Sequence, residues 1–330
     1  MKKGKVLHKT RKRVNILTDL KPKNKEEVSK MKKKVVACLL AGTMAMSLTA
    51  CGGGGVSSNS SSGKGDSKEA STADKEVGVE QTAEPQAPPE DAPVGGQFVV
   101  QIAPGSLSPD MMDGWSANAT NTGFIRLMNG YGLTDITRER VKEWDPVVVK
   151  SHEETDNEDG SRTYTITIND NLKWNDGSKI TAKDYVFHIL LRSSKQFAEC
   201  EGDATMGSTL VGFDTFREGK TKEFTGVRLL GEYEFSFTVA AENLPDYYIL
   251  DSIGFEPAPM AAIAPEVEIK DDGNGCYLND KFTTDLLRKT LLDPETGFRY
   301  KRPVVCGPYQ LKKVDIGTET VEIEINKEYL

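Results

Sequence analysis

Residues 163–191, "TYTITINDNLKWNDGSKITAKDYVFHILL", narrow the fold of this chain more than any other stretch. Tyr164, Ile166 and Ile168 alternate with threonines, the period-two pattern of a half-buried strand. Asn175-Asp176-Gly177 is a turn, and Thr181 followed three residues later by Asp184 is a helix start. Apolar positions 185, 186, 187, 189, 190 and 191 then cover a wide face of that helix. Trp174 is expected to pack where turn and helix meet.

The flanking residues repeat the mixture. "GGQFVVQIA" reads as a first strand stopped by Pro104-Gly105, and "NTGFIRLMNGYGL" as a helical face ending at Gly130 and Gly132. "DPVVVKSHEET" and "RTYTITIND" flank the turn-prone "DNEDGS" as a β-hairpin. "FTGVRLLGEYEFSFTVA" is a strand–turn–strand unit with Phe235, Phe237 and Val239 on one face. Proline and acidic residues dominate 245–297, which suggests short helices and loops. Two strands close the chain, the last alternating Val321, Ile323 and Ile325 with glutamates. Strands and helices mix throughout, so the class is α/β.

The first hundred residues read differently. Residues 1–34 hold 14 Lys/Arg against three acidic residues, leaving 28 basic and 47 acidic residues after them, a net charge of −19. Such a surface repels phosphate backbones, so nucleic acid is not an expected partner. The basic run 1–30 could pass for a nucleic-acid arm, but a start at Met31 with 1–30 as an extension is the preferred reading. A short basic stretch, a charge-free run over 35–50 and a small-residue exit make residues 31–50 a secretory signal. Leu48-Thr49-Ala50-Cys51 resembles the bacterial lipobox, in which the cysteine becomes the acylated mature terminus; two acyl chains suffice for stable anchoring. The alternative is an ordinary signal or a buried helix with a chance cysteine, although the glycines after Cys51 cannot continue a helix. Residues 51–95 have the Gly/Ser and then Pro-rich composition of a disordered tether.

Chemistry-bearing motifs are sparse. Cys200, Cys276 and Cys306 are too few for a disulfide framework; at most one pair can form, Cys200 with Cys276 being one possibility. His8, His152 and His188 show no metal-ligand spacing, and His188 reads as a packed helix residue. "DDGNG" at 271–275 lacks the register of a calcium loop and reads as a turn. No nucleophile elbow, zinc-protease motif or phosphate loop occurs, so neither catalysis nor a cofactor is expected.

Several stretches, in order, resemble the family 5 extracellular solute-binding proteins, the peptide-binding components of ABC importers. They are "LSPD" at 107–110, with Ser108 where the family has Asp; "MNGYGLT"; "TYTITINDNLKWNDGSKITAKDYVF"; and "VVCGPYQL" followed by "NKEY". Cys306 stands where Ser, Thr or Asn is usual, and Leu330 where Trp is common. The resemblance covers roughly 97–330 and implies a periplasmic-binding-protein-like fold with lobes closing on a ligand. Lobe I would comprise 96–132 and 286–330, lobe II 133–285, and a third, ligand-binding part would follow. It also implies a monomeric, extracytoplasmic protein, anchored to the outer face of the membrane through Cys51, that delivers oligopeptides or dipeptides to permease subunits. A non-peptide ligand of the same fold (nickel, haem or a sugar) is the alternative, and a surface hydrolase a weaker one. Trp174, Asp176, Gly177, Thr181, Asp184, Gly307, Pro308 and Tyr309 carry the resemblance and are expected to be structural. Counted without gaps from Leu107-Ser108-Pro109, Asp113, Gly114, Trp115 and Ser116 fall on the family segment whose backbone pairs with bound peptide. The other reading of these four is a surface turn with Trp115 packed on its own lobe.

Overall fold

The computed structural model describes residues 95–115 and 118–329. Cys51, the 31–50 signal, nearly all of the tether and Ser116 lie outside them. In chain order the described residues form helix α1 (Ala119–Met128) and strands β1 (Thr134–Ile136), β2 (Lys142–Trp144), β3 (Val149–Asp156) and β4 (Arg162–Ile168). Helices α2 (Ala182–Leu191), α3 (Lys195–Glu199) and α4 (Phe213–Arg217) follow, then strands β5 (Val227–Leu229) and β6 (Glu234–Val239). After helices α5 (Ile249–Ser252) and α6 (Met260–Ile263) come strands β7 (Ile269–Asp271) and β8 (Cys276–Leu278). Helices α7 (Thr284–Leu291) and α8 (Phe298–Lys301) lead to strands β9 (Tyr309–Asp315) and β10 (Thr320–Ile325).

The central layer is an antiparallel sheet of order β3-β4-β6-β5. Its register sets Tyr164 opposite Phe237 and Ile166 opposite Phe235, so the alternating residues share one buried face. Tyr164 stacks on Phe237 at 5.6 Å and Phe235 on Tyr185 at 5.4 Å, which carries the core from the sheet into α2. Except for Lys183, every residue of α2 is buried. Tyr185, Val186, Ile189 and Leu190 face the sheet, whereas Phe187 and Leu191 join Phe197, Ile263, Leu287 and Phe298 in a second core. The helix is thus sandwiched between the sheet and a layer made by α3, α6, α7 and α8. Each buried Phe or Leu contributes roughly 1.5–3 kcal/mol relative to an exposed one.

The turn after β4 does more than reverse the chain. Asp176 Oδ1 accepts from the Ser178 N–H (2.9 Å) and hydroxyl (2.6 Å), and Gly177 takes φ +81°. Asn175 pairs with Val305 twice, N–H to carbonyl at 2.9 Å and Oδ1 from the Val305 N–H at 3.0 Å. Trp174 is buried beside it. The C-terminal segment is held a second time where Gly130 and Gly307 let two backbones cross. A Cβ on Gly307 would lie 2.4 Å from the Asn129 carbonyl, and one on Gly130 2.4 Å from that of Cys306. Pro308 accepts from the Asn326 N–H at 2.9 Å, and Tyr309 opens β9 opposite Ile325.

Two expectations change, and one open possibility is decided. Residues 97–103 form no strand, and Phe98 is 91 % exposed; the run has no ladder partner among the described residues, β9 being paired with β10. Only Ile102 of that run packs on a core, that of Met111, Met128 and Val305. Residues 245–297 add to their short helices the β7–β8 hairpin, with "DDGNG" as its turn. Cys200 and Cys276 are both free and buried, Cys200 beside the Thr284 carbonyl and Cys276 beside Asp271, so that pair is not formed. One core joins residues distant in sequence: Met112 and Phe298 pack with Phe187, Phe197 and Ile263.

Candidate functional site

The segment 107–115 is fixed from behind before it can offer anything forward. Met111 and Met112 are buried, and Asn121 clamps the loop by accepting from the Ser108 N–H at 2.9 Å and donating to the Ser108 and Asp110 carbonyls. The Met111 N–H donates to the Arg299 carbonyl at 2.7 Å, and the Met111 carbonyl accepts from Arg302 Nη1 at 2.9 Å. Asp110 forms an ion pair with Arg299. Gly114 has φ +111°, open chiefly to glycine, and its carbonyl accepts from the Asp203 N–H at 2.8 Å. The Trp115 indole N–H donates to the Cys200 carbonyl at 2.9 Å. Its ring lies 4.7 Å from that of Phe197 and 4.8 Å from the Arg299 guanidinium. Trp115 is thus held against Phe197, Cys200 and Arg299 while remaining only half-buried.

Beside this edge lies a polar cluster drawn from four distant parts of the chain. The Asn129 amide, just past α1, donates to both Asp113 Oδ2 (3.0 Å) and Glu256 Oε2 (2.5 Å), and its oxygen accepts from Arg302. His188 Nδ1, on α2, bonds the Glu256 carbonyl oxygen at 2.8 Å. Arg192, the C-cap residue just past α2, donates from Nε to the Asp203 carbonyl at 3.0 Å. Arg302 is buried, with Nε lacking a hydrogen-bond partner among the described residues.

Electrostatics follow from that crowding. Burial, reinforced by the Asp113 charge, pushes the Glu256 carboxyl up to about 7, against the pull of Arg302 and the Asn129 hydrogen bond. Burial and then the Arg192 charge push His188 down to about 4, so its imidazole is neutral at neutral pH. Burial lowers both Arg192 and Arg302, with Asp113 the main opposing influence. Two carboxyl groups thus face two guanidinium groups. The set holds a loop in place; it contains no nucleophile placed against a base.

The structure brings Asp113, Gly114 and Trp115 together at this edge, with Gly307 against Asn129 behind it. Trp174, Asp176, Gly177, Pro308 and Tyr309 serve the turn and the start of β9. Thr181 and Asp184 serve the α2 cap, where Asp184 Oδ2 accepts from the Thr181 N–H at 2.9 Å. Sequence reasoning missed Asn129, Arg192, Glu256 and Arg302. Glu256 sits in "GFEPAPM", which reads like any proline-rich loop. An open groove of about 750 Å³ lies elsewhere, lined by Thr181, Asp184, Met260, Ala264, Pro265 and Val267. Among the described residues no group of three or more His, Cys, Asp or Glu is placed to hold a metal, and no helix is long and apolar enough to cross a membrane.

Residues 142–330 match the family model described as bacterial extracellular solute-binding proteins, family 5 (middle). The oligopeptide-binding protein OppA of Lactococcus lactis subsp. lactis IL1403 is 34% identical over 67 residues, 20% of this chain and 11% of that protein. The dipeptide-binding protein of Lactococcus lactis subsp. cremoris MG1363 is 32% identical over 97 residues, 27% of this chain and 18% of that protein. The match thus spans less than a fifth of either relative. Among solved structures, Haemophilus influenzae OppA in complex with RPPGFSPFR aligns with a TM-score of 0.48 and 19% identity, covering 67% of this chain and 37% of that one.

Proposed function

Because the chain belongs to the bacterial extracellular solute-binding proteins of family 5, we propose that it captures peptides outside the cell and delivers them to the permease subunits of an ABC importer. The observation that carries this reading is the family match itself, and relatives described as oligopeptide- and dipeptide-binding favour peptide over other solutes. The protein acts by binding alone.

In this reading Asp113-Gly114-Trp115, with Ser116, forms part of the ligand edge. A peptide of varied sequence is best held through its main chain, in strand-addition fashion, and Trp115 supplies a flat apolar wall. The edge is already shaped by the Asn121, Asp203 and Cys200 contacts behind it, so ligand binding need not order it. Lobe I (96–132 with 286–330) and lobe II (133–285) form one side of the cleft, and a further lobe closes on it. Cys51 carries the lipid that anchors the protein, and residues 52–95 let the body stand off from the membrane.

Equilibrium dialysis of the full-length protein against a peptide mixture, followed by mass spectrometry of what is retained, tests the reading. Retained peptides, with weaker retention in Trp115→Ala, are the expected result. Retention of nickel, haem or a sugar in their place would overturn the peptide assignment.

A further inference from the structure

The buried polar cluster has a geometry that simple loop fastening does not require. One amide NH₂ group, that of Asn129, serves two carboxylates at once, Asp113 at 3.0 Å and Glu256 at 2.5 Å. The two acidic groups are therefore held within a few ångströms of each other, bridged by that one side chain. Asp113 lies in the edge segment, next to Gly114 and Trp115. Glu256 lies on the opposite wall, where its own carbonyl is fixed by His188. We propose that Glu256 is a positioning residue for the 113–115 edge, which it holds in or lets out according to whether its carboxyl carries a proton.

The physical basis is like-charge repulsion in a poorly hydrated place. With Glu256 protonated, the Asp113 charge lies near Arg302 and Arg192, and no second carboxylate opposes it across the Asn129 bridge. With Glu256 ionised, two carboxylates, each on its own N–H of the one Asn129 amide, repel each other across that group. The groups facing Glu256 from each element packed on it are Asp113 in the loop, Arg126 and Asn129 at α1, Tyr185 and His188 on α2 with Arg192 just past it, and Arg302 and Cys306 in the C-terminal segment. Of these, His188 is neutral near pH 7, and burial drives Tyr185 well up and Cys306 up to about 12. Neither switches near pH 7, where the Glu256 carboxyl does. A proton on Glu256 thus favours a tight edge, and its loss favours a loosened one. What the edge is for rests on the peptide-binding reading; its movement does not.

The chain has three tryptophans, so fluorotryptophan-labelled full-length protein gives a resolvable fluorine NMR spectrum, with Trp115→Phe assigning the reporter. Over about pH 5 to about pH 9, a range bracketing a carboxyl raised toward neutrality, the Trp115 resonance should shift with a midpoint near 7. Glu256→Gln keeps the shape and hydrogen-bonding atoms but cannot ionise, and it should flatten that titration. Trp144, tilted against His152 at 5.0 Å, should behave identically in both proteins. If Glu256→Gln fails to fold, Asp113→Asn provides the second arm: removing the neighbouring charge should move the Trp115 midpoint to lower pH. A Trp115 signal flat with pH in the unaltered protein, a titration unchanged by Glu256→Gln, or a midpoint unmoved by Asp113→Asn would each overturn the proposal. Dialysis of the peptide mixture at both ends of the range separates the two readings. A moving Trp115 with pH-independent peptide retention supports Glu256 as positioning residue and places the ligand contacts elsewhere.

Discussion

Gly114 carries a steric constraint that only its folded neighbours reveal. In the structure the space a Cβ would occupy is already taken, with Phe197 Cζ 3.0 Å and Arg192 Cζ 3.3 Å away, and φ is +111°. Gly114→Ala should therefore lower stability by roughly 1–3 kcal/mol, read from urea denaturation, whatever it does to binding. Gly177→Ala shares the positive φ but meets no atom within 4 Å, so it should cost less. The cysteines give a second residue-scale outcome. All three described ones are buried, and burial raises Cys276 and Cys306. A thiol reagent at neutral pH should label them slowly in the native protein and rapidly in urea, with no reductant needed. The trio of Asn129, Glu256 and Arg302 was illegible for a plainer reason. Asn129 lies 127 residues from Glu256 and 173 from Arg302 in sequence, and each is an ordinary polar residue until the fold assembles them.

Elements were more legible, because the signals that define them are local. The alternation at Tyr164, Ile166 and Ile168 became β4, and Thr181 with Asp184 became the cap of α2. The strand expected at 97–103 fails for the converse reason: a strand is a pairing, and no local pattern specifies its partner. The cap itself carries more than the sequence indicated. Asp184 accepts from the Thr181 N–H and hydroxyl and from the Met260 backbone, and so also anchors the start of α6. Asp184→Ala would strand buried donors and should cost roughly 1–3 kcal/mol. Thr181→Ala leaves the Thr181 backbone bond in place and should cost about 0.5–1 kcal/mol. Burial nevertheless raises the Asp184 carboxyl to about 6, above its ordinary 3.8. A carboxyl raised on folding binds its proton more tightly in the native state, so its contribution is fully present below the ordinary value. It declines as pH rises through that window and is gone above about 6. Buried neutral His188, lowered from 6.5 to about 4, acts oppositely and loses stability on acidification across much of the same range. The clean measurement is thus a difference: melting temperature against pH for Asp184→Asn minus that of the unaltered protein. The difference should rise as pH climbs from about 4 to about 6 and stay level beyond.

For the molecule as a whole, the proposed anchoring and the proposed capture can be tested separately. Cys51→Ala expressed in a bacterial host should move the protein from the membrane fraction to the soluble one, with peptide retention unchanged. Persistence in the membrane with cleavage at another position would remove the lipid from the account. The charge asymmetry was readable because composition needs no fold. The proposed ligand edge rests on resemblance, since main-chain recognition leaves little signature in side chains. The burial of α2 has one further consequence, which concerns time. With the sheet on one side and four helices on the other, its amide hydrogens have no route to water through a local opening of either layer alone. Their exchange with deuterium should proceed only when the molecule unfolds altogether, so the slowest amides of Tyr185–Leu190 would report, in a protein never exposed to denaturant, how often the entire fold comes apart.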